Sequence, residues 1–499
     1  MRALIAALVC GAALAPHVAS AQAPVSAIPP HPRELTFAPL DYQPPDPARH
    51  RQVLENGVVG YFVEDRELPL VTVTVLIRGG SYLDPEGREG LASLMGSQMR
   101  AGGTASLDAE AFDEELAFLA ANVGAGFGAT SGSASANFLS KDRERALALF
   151  FEMLKTPRFQ EDRLELARTQ RLQGLERRND STDTIEGREW ARLMRGDGHF
   201  STREPTGTST SAISRDDLVQ LHRRLVHPAN FVLAVSGDFE TASMRADLER
   251  ALADWPFQGE RAPDVPAPDH TPTPGLYLVH KADVNQGRVS IGHLGIERGH
   301  PDEVAIEVMN EILGGSGFTS RIMARVRSDE GLAYSAGSSY SPGVYYAGTF
   351  RAAFQSRSES CARAARIVLD EVDRMRSTPV AADELDTIKT NLVEVFPRAF
   401  QSAGAVASTF AGDELTGRDP AHWRTYRDRV RAVTADDVLR VAKAHLDPSA
   451  FVILAVGNVD AMLAGEADHP EVSFERLAAG RPMTRIPLPD PVSLIYPRP

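Results

Sequence analysis

The chain has 499 residues, more than one hydrophobic core usually organises, so two or more domains are expected. Hydrophobic residues make up 43% and charged residues 24%, an ordinary globular composition. The net charge of −14 argues against a nucleic-acid binder, which normally shows a basic face, and against electrostatic attraction to an anionic membrane.

In chain order, Arg2 is followed by an apolar run over residues 3–15, broken only by Gly11, and then by the small residues Ala19-Ser20-Ala21. This pattern predicts a cleavable export signal over residues 1–21 and a location in the periplasm or outside the cell. The run is shorter than the ~20 apolar residues that span a bilayer, and no later segment reads as transmembrane. Cys10 lies in the signal and follows Val9, which does not suit a lipoprotein signal. The mature chain keeps only Cys361, so no internal disulfide is expected. Residues 22–50 read as a Pro-rich arm.

Residues 58–63 and 70–77 then read as strands, 108–121 as a helix, 131–139 as an alternating strand and 141–155 as a helix. Residues 256–274 hold six prolines and read as a semi-rigid linker. Beyond it come strands at 275–280 and 287–294 and a helix at 302–313. Residues 482–499 form a second Pro-rich tail, which either wraps the surface or stays disordered.

An internal repeat sets the architecture. Ile213-Ser-Arg-Asp-Asp-Leu218 recurs as Val433-Thr-Ala-Asp-Asp-Val438. Pro228 and Pro448 follow, and then the apolar runs that start at Phe231 and Phe451 and end at Gly237 and Gly457. Every pair is offset by 220 residues, too long for a solenoid and right for a duplicated domain. Ser214 and Thr434 have the chemistry of helix N-caps, and the acidic pair after each suits the positive end of a helix. The expected fold is α+β: two homologous α/β-sandwich-like half-domains, residues 51–255 and 275–481, forming a clam-shaped pair.

The landmarks Leu54-Glu-Asn-Gly57, Leu68-Pro69, Gly79-Gly-Ser-Tyr82 and Glu89-Gly-Leu-Ala92 resemble the opening of the pitrilysin/insulinase family, the inverzincins. Leu313-Gly-Gly-Ser-Gly-Phe-Thr-Ser-Arg321 looks like the family's glycine loop, with Gly314, Gly315 and Gly317 as candidate peptide contacts. Arg327 through Gly331-Leu-Ala-Tyr334 looks like its Arg…Tyr substrate motif. The resemblance covers about residues 51–460 and has one conspicuous departure. The family's two zinc-binding histidines fall on Ser93 and Ser97, and its general-base glutamate on Gly96. Its third ligand falls near Gly174, between Gln173 and Glu176, and Glu176 is out of register. Two hydroxyls and a glycine cannot replace two imidazoles and a carboxylate.

The resemblance therefore implies a non-catalytic subunit that carries no cofactor of its own. A homologous partner would supply zinc, and unfolded peptides would be the substrate. The second reading is a non-enzymatic peptide-binding or scaffolding homo-oligomer of the cell envelope. By residue type alone, Arg327 suits a surface ion pair and Tyr334 a half-buried aromatic; the resemblance makes them donors to a bound peptide carbonyl. His222 and His227 are five apart, so they point ~140° apart on a helix, wrong for two ligands on one face. His280 and His293 end expected strands that would let them approach, but no third ligand is evident. Ser93 and Ser97 share a helical face without an identifiable base, so they read as structural serines.

Overall fold

The computed structural model describes Leu35 and residues 41–255, 260–478 and 480–497. The expected signal and most of the N-terminal arm lie outside the described residues. The unit over residues 43–499 holds every helix and strand named below.

Strands β1 (Arg51–Val53), β2 (Val59–Glu64), β3 (Leu70–Arg78), β4 (Asn122–Phe127), β5 (Ser131–Leu139) and β6 (Phe231–Gly237) build one six-stranded sheet, ordered β1-β2-β6-β3-β5-β4. Strands β7 (Gly275–His280), β8 (Gln286–Leu294), β9 (Ala333–Ser341), β10 (Thr349–Arg357), β11 (Val452–Gly457) and β12 (Met483–Ile486) build a second, ordered β12-β7-β11-β8-β10-β9. The two orders are equivalent, as the duplication requires. The late strand of each half, β6 or β11, inserts at the centre, parallel to one neighbour and antiparallel to the other. Central placement explains why these two runs are apolar almost throughout instead of alternating. In β3, by contrast, Val71, Val73, Val75 and Ile77 turn inward and the residues between them do not.

Both expected N-caps form reciprocal capping boxes. Ser214 Oγ accepts from Asp217 N at 3.2 Å while the Asp217 carboxylate accepts from Ser214 N at 2.8 Å. Thr434 and Asp437 repeat the pair at 3.1 Å each way. The expected helix at 302–313 is regular only over Glu303–Asn310 and widens into a π turn over Glu311–Gly315. There Gly314 presses on β9, where a Cβ would lie 2.3 Å from Ser338 N. The helix at 108–121 shortens to Ala109–Phe118, with Asp108 as its cap.

The half-domains form the expected clam-shaped pair, and an exchange of helices locks it. Helix Thr182–Arg195 of the first half packs Ile185, Trp190 and Met194 on Val279, Val452, Leu454 and Val456 of the second sheet. Helix Ala403–Thr416 of the second half lies on β2, β3 and β6 of the first. Its Phe410 ring sits 5.8 Å from that of Tyr61. Ser181 caps one helix and Ser402 the other, so the exchanged elements are themselves repeats. Arg78 of β3 donates to the Leu415 carbonyl, and Arg298 Nη2 to the Thr416 carbonyl at 2.5 Å, where cations suit a helix C-terminus.

Glu186 is the polar anchor of this exchange. It is 1% exposed, accepts from Ser290 Oγ at 2.5 Å and Arg288 Nε at 2.6 Å, and forms an ion pair with Arg351 Nη2 at 3.1 Å. Without Glu186, Arg288 keeps only the exposed Asp183 and Arg351 loses its carboxylate, and because both guanidinium groups are partly solvated the cost is about 1–3 kcal/mol. Glu186→Ala is therefore expected to lower unfolding stability by that order, measured by denaturant titration. A loss under about 1 kcal/mol would mean that water replaces the carboxylate at both guanidinium groups.

The C-terminal tail wraps the surface. After β12 joins β7 in parallel, Asn179 Nδ2 donates to the Pro489 carbonyl at 2.7 Å, Gly207 N to Val492 O at 2.8 Å, and Tyr496 OH to Glu189 at 2.7 Å. Among the described residues no helix is long and apolar enough to cross a membrane.

Candidate functional site

Helix Leu91–Ala101 carries Ser93, Gly96 and Ser97. It starts at Gly90, whose φ of +92° suits glycine, and the Asp84 carboxylate accepts the N–H groups of Gly90 at 2.9 Å and Ala92 at 2.8 Å. Burial raises Asp84 to about 6 against those two bonds. At Gly96 the helix lies directly on edge strand β4. A Cβ there would sit 2.8 Å from Gly126 Cα and 2.9 Å from Phe127 N. Any side chain at position 96 would start against that backbone.

Neither serine is poised for chemistry. Ser97 Oγ donates to the Leu94 carbonyl of its own helix at 2.9 Å, and Ser93 Oγ accepts from Arg171 Nη2 at 3.1 Å. Arg171 also donates from Nη1 to the Gly90 carbonyl at 2.8 Å. It belongs to helix Glu161–Glu176, the helix that carries Gln173, Gly174 and Glu176. Gly174 is exposed with open space around it, and Glu176 is exposed. That helix thus brings a guanidinium toward Ser93, one turn before Gly174. Burial lowers the Arg171 pKa while the charge of Asp84 opposes the shift. A cation held there repels a second cation, and no imidazole is present. These residues do not fit zinc. Arg171 escapes a reading of the sequence, because nothing in helix periodicity marks which surface arginine turns toward another helix.

The second half places Arg327 and Tyr334 together. The turn over Ala324–Asp329 ends before Gly331, with φ +64°, and the chain reverses so that Tyr334 enters β9, the outer strand of its sheet. Arg327 Nη1 donates to the Tyr334 carbonyl at 3.0 Å, and the guanidinium carbon lies 4.6 Å from the ring centres of both Tyr334 and Phe318. Tyr334 is 83% exposed and Phe318 68%. The Arg327 charge is thus held flat between two exposed rings, a cation–π stack. Tyr334 is accordingly an exposed aromatic, not a half-buried one. Phe318 carries no signal in the sequence that singles it out, although it follows Gly317 directly. Gly317 supplies a turn at φ +62°, Gly315 is exposed, and Gly314 is the close-packed residue under β9.

The histidines do other work. His222 is buried and donates from Nε2 to the Leu154 carbonyl at 2.8 Å, while His227 Nε2 lies 3.0 Å from the Arg224 carbonyl. His280 and His293 do not approach each other. His293 stacks on Phe451 before β11, and His280 accepts from Val459 N beyond its other end. The strand between Phe451 and Gly457 places them roughly 20 Å apart at ~3.3 Å per residue. Each sits beside an opposite end of the central strand, which the adjacent placement of β7 and β8 in sequence concealed. Among the described residues one trio has metal-ligand spacing, His300, Asp302 and His445. Arg440 Nη2 already sits 2.9 Å from one Asp302 oxygen and His445 Nε2 2.8 Å from the other. The carboxylate is therefore satisfied by a resident cation.

Burial pulls His222 down to about 4. A histidine depressed on folding stabilises the neutral fold fully above its unfolded pKa of ~6.5, and that contribution is lost as pH falls toward 4. The loss is on the order of 3 kcal/mol. His222→Gln is expected to flatten the decline in stability between pH 6.5 and 4, in denaturant melts at several pH values. Flattening is partial, since His422 is also depressed to about 4 and titrates with the same sign. An unchanged slope in the variant would assign the decline to other groups.

The fold and site define a duplicated α/β protein of metallopeptidase type in which helix Leu91–Ala101 meets β4 at Gly96 and the Arg171 guanidinium at Ser93. A family model described as Insulinase (Peptidase family M16) matches residues 62–190, and one described as Peptidase M16 inactive domain matches residues 212–392. The chain belongs to this insulinase, or M16, family. A non-peptidase homolog, YmxG of Helicobacter pylori, is 25% identical over 418 residues, covering 82% of this chain and 94% of that one. The crystal structure of a peptidase M16 inactive domain from Pseudomonas fluorescens matches with TM-score 0.73 at 25% identity, covering 82% of this chain and 97% of that one. The periplasmic protease PqqL of Escherichia coli shares the fold with TM-score 0.68 at 14% identity, and the match covers 81% of this chain but 45% of that longer one.

Proposed function

We propose that this chain is an exported, zinc-less M16 subunit that binds unfolded peptide and completes the chamber of a peptidase whose zinc comes from a homologous partner. The observation that carries this reading is the contrast between the two halves. The first has Ser93, Gly96 and Ser97 on the helix that resembles the zinc-binding one, with Arg171 against Ser93, while the second keeps an exposed Phe318–Arg327–Tyr334 stack beside an outer strand. An outer strand suits an extended peptide, which can add to it as a further strand where Arg327 and Asn310 do not already hold the Tyr334 and Ser338 carbonyls. The stack offers Nε and Nη2 of Arg327 to a peptide carbonyl. Support for a partner of similar size comes from PqqL, in which this fold makes up about half of one longer chain. Support for the periplasm comes from the signal-like residues 1–21.

The experiment is to purify the mature chain alone and with a co-expressed, similar-length exported chain that carries H-x-x-E-H. Alone it is expected to hold no stoichiometric zinc and to cleave no peptide. The pair is expected to cleave peptides that neither chain cleaves by itself. A stable homo-oligomer that binds peptide and ignores the zinc chain would instead establish the scaffolding role.

A further inference from the structure

We propose a second binding site, for a small ligand carrying a phosphate or carboxylate group, in a cavity of about 600 Å³ in the first half. It lies between the segment after helix Arg143–Lys155, helix Arg215–Leu225 and Trp255. Cavities of this size suit small molecules.

Its electrostatics are one-sided. Lys155, Arg158, Arg215 and Arg223 line the cavity with His222 and Trp255, and no Asp or Glu does among the described residues. Arg158, Arg215 and Arg223 have no carboxylate partner among the described residues. This is notable in a chain of net charge −14, where arginines such as Arg88 and Arg100 find Asp217 and Asp113. Lys155 pairs only with Asp254 among the described residues, and that side chain is 77% exposed.

The cations are held in place by neutral groups. Arg158 donates from Nε to Thr104 O at 2.9 Å and from Nη2 to Ala105 O at 3.0 Å. Arg215 donates from Nε to Phe159 O at 3.1 Å and from Nη2 to Arg158 O at 2.8 Å. Carbonyls orient these guanidinium groups without cancelling their charge, and each keeps Nη1. The segment they grip is unusual, since Phe159 adopts φ +51° with its ring edge-on to His222 at 5.8 Å. A bulky residue stays in that region only when its surroundings hold it. Oriented, unneutralised guanidinium groups beside an indole are the chemistry that recognises an oxyanion on an apolar or aromatic body.

The test uses the full mature chain at low salt. Pyrophosphate and phenyl phosphate form one arm, citrate and phenylacetate the other, each followed by calorimetry and by tryptophan fluorescence. At least one probe is expected to bind saturably, to weaken with added salt, and to lose about tenfold in affinity in Arg223→Gln. Arg223 is exposed and its side chain makes no hydrogen bond among the described residues, so this variant is expected to fold. Trp255→Phe should remove the fluorescence response while the heat of binding remains. The stronger arm identifies phosphate or carboxylate as the ligand group. The proposal is overturned if no probe binds saturably at millimolar concentration. It is equally overturned if binding is unchanged in both Arg223→Gln and Arg158→Gln.

Discussion

Gly96→Glu is expected to destabilise the protein and to restore no chemistry. A Cβ at position 96 already meets Gly126 Cα at 2.8 Å and Phe127 N at 2.9 Å, closer than side-chain carbons sit in folded proteins. These are backbone atoms of a sheet strand, so relief requires β4 to shift and not merely a rotamer change. Overpacking of this kind costs ~1–3 kcal/mol, and forcing a carboxylate against the strand adds a desolvation cost. A loss of about 3 kcal/mol lowers the Tm by roughly 6–12 °C for a half-domain near 200 residues. The triple variant Ser93→His, Gly96→Glu, Ser97→His should fare no better. Arg171 would remain beside position 93, and Gly174 would still offer no ligand. Thermal unfolding with metal analysis decides the matter. A triple variant with the parent Tm and one bound zinc per chain would show that β4 swings away and that the position is merely empty.

In the reconstituted pair, Arg327→Ala is expected to lower turnover by about 10²–10³, the usual effect of removing a donor to a developing oxyanion. The stack gives this expectation its structure. Phe318 and Tyr334 hold the guanidinium flat, and its Nη1 is committed to the Tyr334 carbonyl. Phe318→Ala should therefore reproduce part of the loss by freeing Arg327 to rotate. Tyr334→Phe keeps the ring and removes only the hydroxyl. A fall in turnover with that variant identifies the phenol as a second donor, while wild-type turnover confines Tyr334 to stacking. A raised KM with unchanged kcat would mean that the group binds substrate and transition state equally. Gel filtration of each variant separates catalysis from assembly. If Arg327→Ala assembles and turns over normally, the stack is an ordinary surface feature.

The two large effects differ in how far they could be read from the chain. The positions Ser93, Gly96 and Ser97 are visible as substitutions in a recognisable run, but their packing is not. It depends on Gly126, thirty residues away, and on Arg171 from another helix. Arg327 and Tyr334 are visible as a pair because a single turn at Gly331 joins them. Phe318 completes the stack from the preceding loop and left no periodic signal.

The features legible in the chain alone are local or repeated. The helix N-caps at Ser214 and Thr434, the buried runs from Phe231 and Phe451, and the 220-residue duplication all follow from residue type over a dozen positions or from self-similarity. Which faces meet depends on contacts between distant segments. Helix Thr182–Arg195 carries Asp183, Glu186, Arg188, Glu189, Arg192 and Arg195, six charges that would suit solvent. It instead covers the other half's sheet, because Glu186 finds Arg288 and Arg351 there while Ile185 and Trp190 fill the core. Periodicity marks a face as buried or exposed when one core is near. It says nothing of a partner a hundred residues away whose charges make a polar face a buried one.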